Sequence, residues 1–250
     1  MSWAKVGWDH ADDFGGEAKA SETKYGPRSF WMPAETTKRI LFLDSDPFCF
    51  FEHNLWSITK NAGDKAICLK KNQIDHNCPL CDAELWPSYV GYFTVIDMGD
   101  VHRGPNGQVR LEGFTSQKGI VYQFDKKLLG AKRGGKDKPG VLRKLQRLAA
   151  KHGNSLEGTV WDVYRSGRKA ESVGDEWDFV ERIDLTEARD YLLKWGADEQ
   201  RIDLTAVDYA EHFKPQSAVE LSRLVGGNAA PQHSNAYDFN QTGVSDDVPF

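Results

Sequence analysis

The chain has 250 residues, of which 40% are hydrophobic and 28% are charged, and its formal net charge is −5 at pH 7. These values are typical of a globular protein, and no run of about 18 apolar residues is present that could span a membrane. The first residues lack the apolar stretch of a signal peptide, which predicts a cytoplasmic protein. In that compartment the four cysteines favour thiols or metal ligation over disulfides.

The charges are strongly segregated along the sequence. Thirteen Lys and Arg stand against three acidic residues between positions 103 and 151, whereas thirteen Asp and Glu stand against four basic residues between positions 171 and 211. A run of one charge often marks only a solvated surface. Because the two runs are separate, however, one face could still bind a polyanion such as DNA.

The first half of the chain reads mainly as strands. Residues 1–28 lack sustained periodicity and predict a flexible N-terminal arm. Strands are predicted at residues 38–43, 48–58, 89–96, 109–114 and 120–124. Residues 61–85 hold three cysteines with little regular pattern, which suggests a small metal-bound subdomain rather than a loop. A Gly-rich basic loop at residues 126–138 follows the last of these strands.

The second half adds helices and a hairpin. A helix is predicted at residues 139–152, where Val141, Leu142, Leu145, Leu148 and Ala149 form one apolar face and Gly153 ends the helix. A hairpin follows at residues 159–165 and 177–183. Helices are predicted at 186–195 and 205–213, with Thr186 and Thr205 as N-caps, and at 217–225.

This order of elements predicts a mainly β protein of the α+β class. Short strands with a helix before the last two match a five-stranded OB-type barrel. The predicted domain organisation is an OB-fold core at residues 29–185 with an inserted zinc subdomain at about 53–86, a helical C-terminal extension at 186–225, and a disordered linker with an acidic tip at 226–250.

Cys78-Pro-Leu-Cys81 predicts a zinc site, since it places two thiolates on a tight knuckle, and Cys68 lies upstream as a third donor. The fourth ligand must come from His53, Cys49 or His76. His53 is the preferred one, because Cys49 between two Phe resembles a buried apolar thiol and His76 is too close to Cys78 in sequence. The alternative is three unrelated buried cysteines. Three or four Cys/His ligands would close the coordination sphere, so the zinc would be structural.

A strand that ends in His, followed by Cys-x9-Cys-x2-Cys in an aromatic- and Lys-rich strand domain, resembles the zinc-containing single-stranded DNA-binding proteins of tailed phages. The segments Lys-Arg-Ile-Leu-Phe-Leu-Asp at 38–44 and Val-Tyr-Arg-Ser-Gly at 163–167 are also similar to that group. The resemblance covers residues 28–185. It implies an OB fold, one structural zinc bound by His53, Cys68, Cys78 and Cys81, and binding of single strands without sequence specificity during replication, recombination and repair.

Binding of single strands needs cations for phosphates and flat side chains on which bases stack. Aromatic and basic residues that could do this alternate along the predicted strands and loops: Trp31, Arg39, Phe42, Lys70, Lys71, Trp86, Tyr89, Tyr92, Tyr122, Lys126, Lys127, Tyr164, Arg165 and Arg168. Lys132, Arg133 and Lys136 of the basic loop are predicted to contact phosphates. Each aromatic could instead be a core residue, but Tyr92 and Phe93 point to opposite faces of a strand, so we expect only one of them to be buried.

The chain ends in Asp246, Asp247, Val248, Pro249 and Phe250, which are similar to the tip of bacterial single-stranded DNA-binding proteins. The phage family ends instead in a larger acidic domain. A partner pocket with an apolar floor and a basic rim could bind this tip, which predicts recruitment of replication and repair proteins. A merely solubilising end is the alternative.

Two other functions are alternatives to DNA binding. A zinc-ribbon transcription or packaging factor that acts through protein contacts would explain the zinc, but not the aromatic and basic strands. A metal-dependent hydrolase is not predicted, because the sequence lacks a His-x-Glu pair near the cysteines, a nucleophile elbow and a phosphate-loop pattern.

Overall fold

The computed structural model describes residues 5–6, 28–61, 63–113, 117–124 and 141–226. Most of the predicted N-terminal arm, the basic loop after residue 124 and nearly all of the predicted linker and tip lie outside these residues. The strands are β1 (Lys5–Val6), β2 (Arg28–Ser29), β3 (Thr36–Phe42), β4 (Phe48–Asn54), β5 (Lys65–Ile67), β6 (Ser88–Arg103), β7 (Val109–Glu112), β8 (Gln117–Phe124), β9 (Thr159–Arg165) and β10 (Glu176–Arg182). The helices are α1 (Trp56–Thr59), α2 (Pro79–Asp82), α3 (Val141–Lys151), α4 (Ala188–Lys194), α5 (Tyr209–His212) and α6 (Ala218–Val225), with a 3-10 turn at Glu199–Arg201.

The long strand β6 is the centre of one sheet. Strands β3 and β4 follow each other along one of its edges, since Phe42 pairs with Val95 and Phe48 with Tyr92. Strands β7 and β8 follow each other along the opposite edge. Strand β9 pairs with the outer edge of β3, and β10 pairs with β9. If β3 with β4 counts as strand 1, β6 as strand 2, β7 with β8 as strand 3 and β9 as strand 4, the order of the strands in the sheet is 4-1-2-3. This is the order of a Greek key.

The sheet is not a closed barrel, so this part of the fold prediction needs correction. Among the described strands, no pairing joins β10 to β8. The outer edge of β8 is instead occupied by β2, which pairs with it in parallel, and by the Phe30 amide, which donates to the Ile120 carbonyl. Strand β10 carries a register shift between Phe179 and Glu181, and such bulges and edge charges disfavour further pairing. The α+β class with a dominant sheet is confirmed.

One face of the sheet is covered by α3, as its apolar pattern predicts. Val141, Leu142, Leu145 and Ala149 are buried against a cluster that includes Phe42, Phe93 and Trp161. The hairpin of β9 and β10 also forms where the sequence predicts it. Gly153 follows the helix with φ of 82°, a conformation that glycine adopts without steric cost.

The opposite face is covered by residues 186–226, called here the C-terminal segment. Ala188 and Leu192 of α4 pack on Leu41, Ile96 and Val160. Tyr209 and Phe213 pack on Phe48, Phe50 and Tyr92. Tyr92 and Phe93 are therefore both 0% exposed, and the expectation that only one is buried is wrong. Both faces of β6 are core faces.

Some predicted elements differ from those observed. The strand predicted at residues 48–58 ends at Asn54. The side chain of Asn54 accepts a hydrogen bond from the amide of Trp56, the first residue of α1. Thr186 and Thr205 are not N-caps. The Val207 amide donates to Thr94 Oγ1 and the Lys118 ammonium donates to the Thr205 carbonyl, so residues 203–207 bond to the sheet instead of forming a helix, and α5 begins only after Asp208.

Helix α6 has a capping box between Ser217 and Glu220, in agreement with the predicted helix. In the described part of the chain, none of the helices combines the length and the apolar character that a membrane span requires.

Candidate metal centre

Four predicted ligands come together in the structure. The Nε2 atom of His53 and the sulfurs of Cys68, Cys78 and Cys81 all lie within 4.8 Å of one another. The His53 Nε2 atom is 3.5 Å from the Cys78 sulfur and 3.8 Å from the Cys81 sulfur, and the Cys68 and Cys81 sulfurs are 3.5 Å apart. A tetrahedral ion with ligand bonds of about 2.0–2.3 Å would separate its donors by roughly these distances. The cluster is compatible with one structural metal ion.

Short local elements place these donors. His53 lies near the end of β4, opposite Ala66 of β5. Cys68 follows β5, and its amide donates to the Phe51 carbonyl. Cys78 is the N-cap of α2, with Pro79 in the first turn, where its fixed φ favours the helix. The predicted metal subdomain thus contains the ribbon of β4 and β5, joined through the one-turn helix α1, and a second one-turn helix, α2.

The pKa values of the three thiols depend on burial, on nearby amides and on one another. Burial raises the pKa of Cys78, but hydrogen bonds from the amides of Cys81, Leu69 and Lys70 outweigh burial and the net pKa is lowered. Burial raises the pKa of Cys68, and burial with the neighbouring sulfurs raises the pKa of Cys81 to about 12. Three thiolates at these distances repel one another, so a metal ion is needed to keep all of them charged.

His53 is a suitable fourth donor. Its ring is fully buried, and burial lowers its pKa, while the Leu85 carbonyl opposes this effect. A neutral imidazole is the form that ligates a metal. The other two candidates lie elsewhere. The thiol of Cys49 belongs to the core cluster under α3, and His76 is exposed.

The predicted DNA-binding residues whose side chains the structure describes fall into three groups according to their exposure. Trp31, Lys70, Lys71 and Arg168 are exposed, as is Trp86, with 82% of its surface accessible. Tyr89 and Tyr164 are partly buried. Buried residues of this set are Phe42, Tyr92, Arg39 and Arg165.

Neither buried arginine has a guanidinium that faces solvent. Arg39 is 3% exposed and donates to both carboxylate oxygens of Asp162, at 2.7 and 3.0 Å. Arg165 donates to the carbonyls of Met32 and Arg168. The ion pair of Arg39 could not be predicted from the sequence, because Arg39 and Asp162 are 123 positions apart and meet only through the pairing of β3 with β9.

Several predicted residues cannot be placed in this way. Tyr122 lies on β8, opposite Tyr92, but its side chain is outside the description. Outside the described residues altogether are Lys126, Lys127, Lys132, Arg133, Lys136, Asp246, Asp247, Val248, Pro249 and Phe250.

Trp56 is an exposed aromatic residue that is not among the predicted site residues, because the predicted strand at residues 48–58 includes it. The preceding Asn54 was the available signal, since Asn often bonds to the backbone two residues later.

Comparisons with models of protein families, with curated proteins and with solved structures found no significant match to the chain.

Proposed function

We propose that this protein binds single-stranded DNA without sequence specificity and coats it during phage DNA replication, recombination and repair, in the cytoplasm of the host cell. The observation that carries the proposal is Trp86, a tryptophan that is 82% exposed on a subdomain that also presents Lys70 and Lys71 to solvent. Trp, Tyr and Phe are enriched on binding surfaces relative to the rest of a protein surface. Stacking surfaces beside cations are what a single strand requires.

The position of Trp86 supports a DNA path at one end of the sheet. Trp86 lies two residues before β6 begins at Ser88. Val90 of β6 pairs with Phe124, the last residue of β8. Lys126 and Lys127 follow Phe124 in the sequence after Asp125. The metal subdomain and the end of β8, after which the basic loop follows in the sequence, therefore lie at the same end of the sheet.

The topology supports an OB-type fold. The OB fold is a five-stranded, partly open Greek-key barrel. The strand order β10, β9, β3 with β4, β6, and β7 with β8 follows its pairing plan except for the closing pair, and α3 precedes the fourth strand. The metal subdomain then occupies the loop between the first and second strands, one of the two loops with which OB folds bind oligonucleotides. Zinc is the proposed ion, since three thiolates and one imidazole are a typical structural zinc set.

Quenching of tryptophan fluorescence by oligo(dT) tests the proposal. We expect Trp86→Ala to lose much of the quenching and about 1–3 kcal/mol of binding free energy. The double variant Lys70→Ala/Lys71→Ala should weaken binding and reduce the salt slope by about 1.4, the value for two lost phosphate contacts. The matched control is Lys194→Ala/Lys214→Ala, which removes two exposed lysines from the C-terminal segment. Equal effects of both double variants, or no quenching in the wild type, would refute the proposed site.

The C-terminal tip is proposed to recruit partner proteins. Two carboxylates beside Pro249 and a terminal Phe250 could be bound by an apolar pocket with a basic rim. Deleting residues 246–250 should leave DNA affinity equal or slightly higher, while replication and repair proteins are lost from pull-downs. Recovery of the same partners with the truncated protein would exclude this role. We propose no catalysis, and labelled DNA should remain intact with magnesium.

A further inference from the structure

Helix α6 packs directly on the metal subdomain. Leu221 of α6 is 0% exposed and lies in one buried cluster with Leu80 of α2 and with the ligands Cys68 and Cys78. Ala218 and Leu224, one turn to either side on the same face of the helix, pack against that cluster. Since α2 carries Cys81 and starts at Cys78, α6 rests on the helix that presents two of the four donors.

Helix α6 depends on this contact for its stability. The helix has eight residues, and isolated helices of that length are not stable in water. The capping box between Ser217 and Glu220 fixes its first turn, which contributes about 1 kcal/mol. The remaining stability must come from burial of Leu221, Ala218 and Leu224.

The metal subdomain depends on the same contact in return. The buried cluster around the ligands Cys68 and Cys78 contains five further residues, which are Leu55, Ala66, Leu69, Leu80 and Leu221. Leu221 is the one member of this buried set that comes from outside residues 53–86. Without its side chain, a cavity would open beside the cysteine knuckle, and the donors would be held less firmly.

We propose that the metal and α6 are energetically coupled: Leu221 is a positioning residue of the metal centre, and the bound metal in turn holds α6 on the subdomain. Coupling between two binding events is reciprocal. Metal occupancy therefore also determines whether the end of α6, to which residues 227–250 are joined in sequence, is held on the subdomain. The coupling involves no DNA, so its tests are independent of the proposed function.

Metal affinity is the first test, measured by competition with a chromophoric zinc chelator. We expect Leu221→Ala to bind zinc about tenfold more weakly or worse, the usual effect of losing an outer-shell partner, and to release it faster. Cobalt substitution should still give a tetrahedral thiolate spectrum, with shifted or weaker bands.

Two control variants separate local coupling from general destabilisation. Leu192→Ala removes an equally buried leucine from the same C-terminal segment, but in the cluster under α4, away from the metal. Val219→Ala changes a residue of α6 itself that is 62% exposed. Both should keep zinc affinity within about twofold of the wild type. If Leu192→Ala weakens zinc binding as much as Leu221→Ala does, the inference is wrong.

Hydrogen exchange of the wild-type protein is the second test and needs no variant. Removal of the metal with a chelator should raise exchange in residues 218–225 together with residues 68–82, while α3 keeps its protection. Continued protection of α6 after residues 68–82 have opened would overturn the coupling, as would purified protein that binds no metal.

Discussion

The ring centroids of Tyr92 and Phe213 lie 4.4 Å apart, with the two planes at 51°. Tyr92 lies in the first half of the central strand, and its hydroxyl donates to Glu52 at 2.9 Å. Phe213 directly follows α5, near the end of the described chain. The contact shows that a side chain from the C-terminal segment fills the position above β6 where the sequence suggested that a base could stack.

Phe213 should therefore be essential for stability. Phe213→Ala removes a ring that is 1% exposed and contacts Phe48, Phe50 and Tyr209 as well as Tyr92. We expect the free energy of unfolding to fall by about 3–5 kcal/mol, measured by urea denaturation. Val219→Ala is the control and should change stability by less than about 0.5 kcal/mol. Similar losses in both variants would argue against packing of α5 on the sheet.

The metal content of single variants should distinguish the ligand Cys81 from Cys49, which lies outside the metal cluster. Purified wild-type protein is expected to hold one metal ion per chain. Cys81→Ser should lose it, because one donor of the cluster is removed. Cys49→Ser should keep it, since this thiol belongs to the core cluster under α3 and not to the metal cluster. Elemental analysis in reducing buffer measures both, and loss of metal from Cys49→Ser would show that His53 is not the fourth ligand.

Arg39 should affect stability, whereas Lys70 should not. Arg39→Ala leaves the buried Asp162 carboxylate with Arg103 as its remaining ion-pair partner. An uncompensated buried charge costs about 3–5 kcal/mol, and we expect a loss near the lower limit because Arg103 remains. Lys70→Ala, at an exposed position, should leave the unfolding free energy unchanged within about 0.5 kcal/mol. Thermal and chemical unfolding of the two variants provide the comparison.

Asp44 should make stability depend on pH near neutrality. Burial raises the pKa of Asp44 to about 7, although the Thr94 amide and the Tyr209 hydroxyl, which both donate to it, oppose the effect. The folded state then binds a proton more tightly than the unfolded state, so the contribution of this group to stability is lost as pH rises towards 7. Asp44→Asn removes the titration.

The stability of Asp44→Asn relative to the wild type should therefore increase from pH 6 to pH 8, as measured by urea unfolding at each pH. Asp190→Asn, at an exposed position of α4, is the control and should show a constant difference. A constant difference for Asp44→Asn would mean that Asp44 is ionised throughout this range.

The sequence could predict those features that depend on neighbouring residues. The apolar face of α3, the β9–β10 hairpin and the donor spacing of Cys78 and Cys81 are local patterns, and the structure contains all of them. The ion pair of Arg39 with Asp162 and the cover of Tyr92 by Phe213 join residues far apart in sequence. The periodicity of a strand does not indicate contacts with distant segments. The sequence of β6 therefore predicts one free face, although the C-terminal segment packs on that face. The non-helical path of residues 203–207 could not be predicted for the same reason, since Thr94 and Lys118 supply its hydrogen-bond partners.

The late position of Tyr209 and Phe213 has a consequence for synthesis of the protein. All strands of the described sheet precede these two rings in the chain, and a ribosome adds residues at about 5–20 per second. Until the rings emerge, Phe48, Phe50 and Tyr92 present an aromatic surface to the surrounding water, and such surfaces aggregate. A fragment cut at residue 185, the end of the predicted OB-fold core, would keep that surface permanently uncovered. A fragment expected to keep this surface covered therefore extends at least through Phe213.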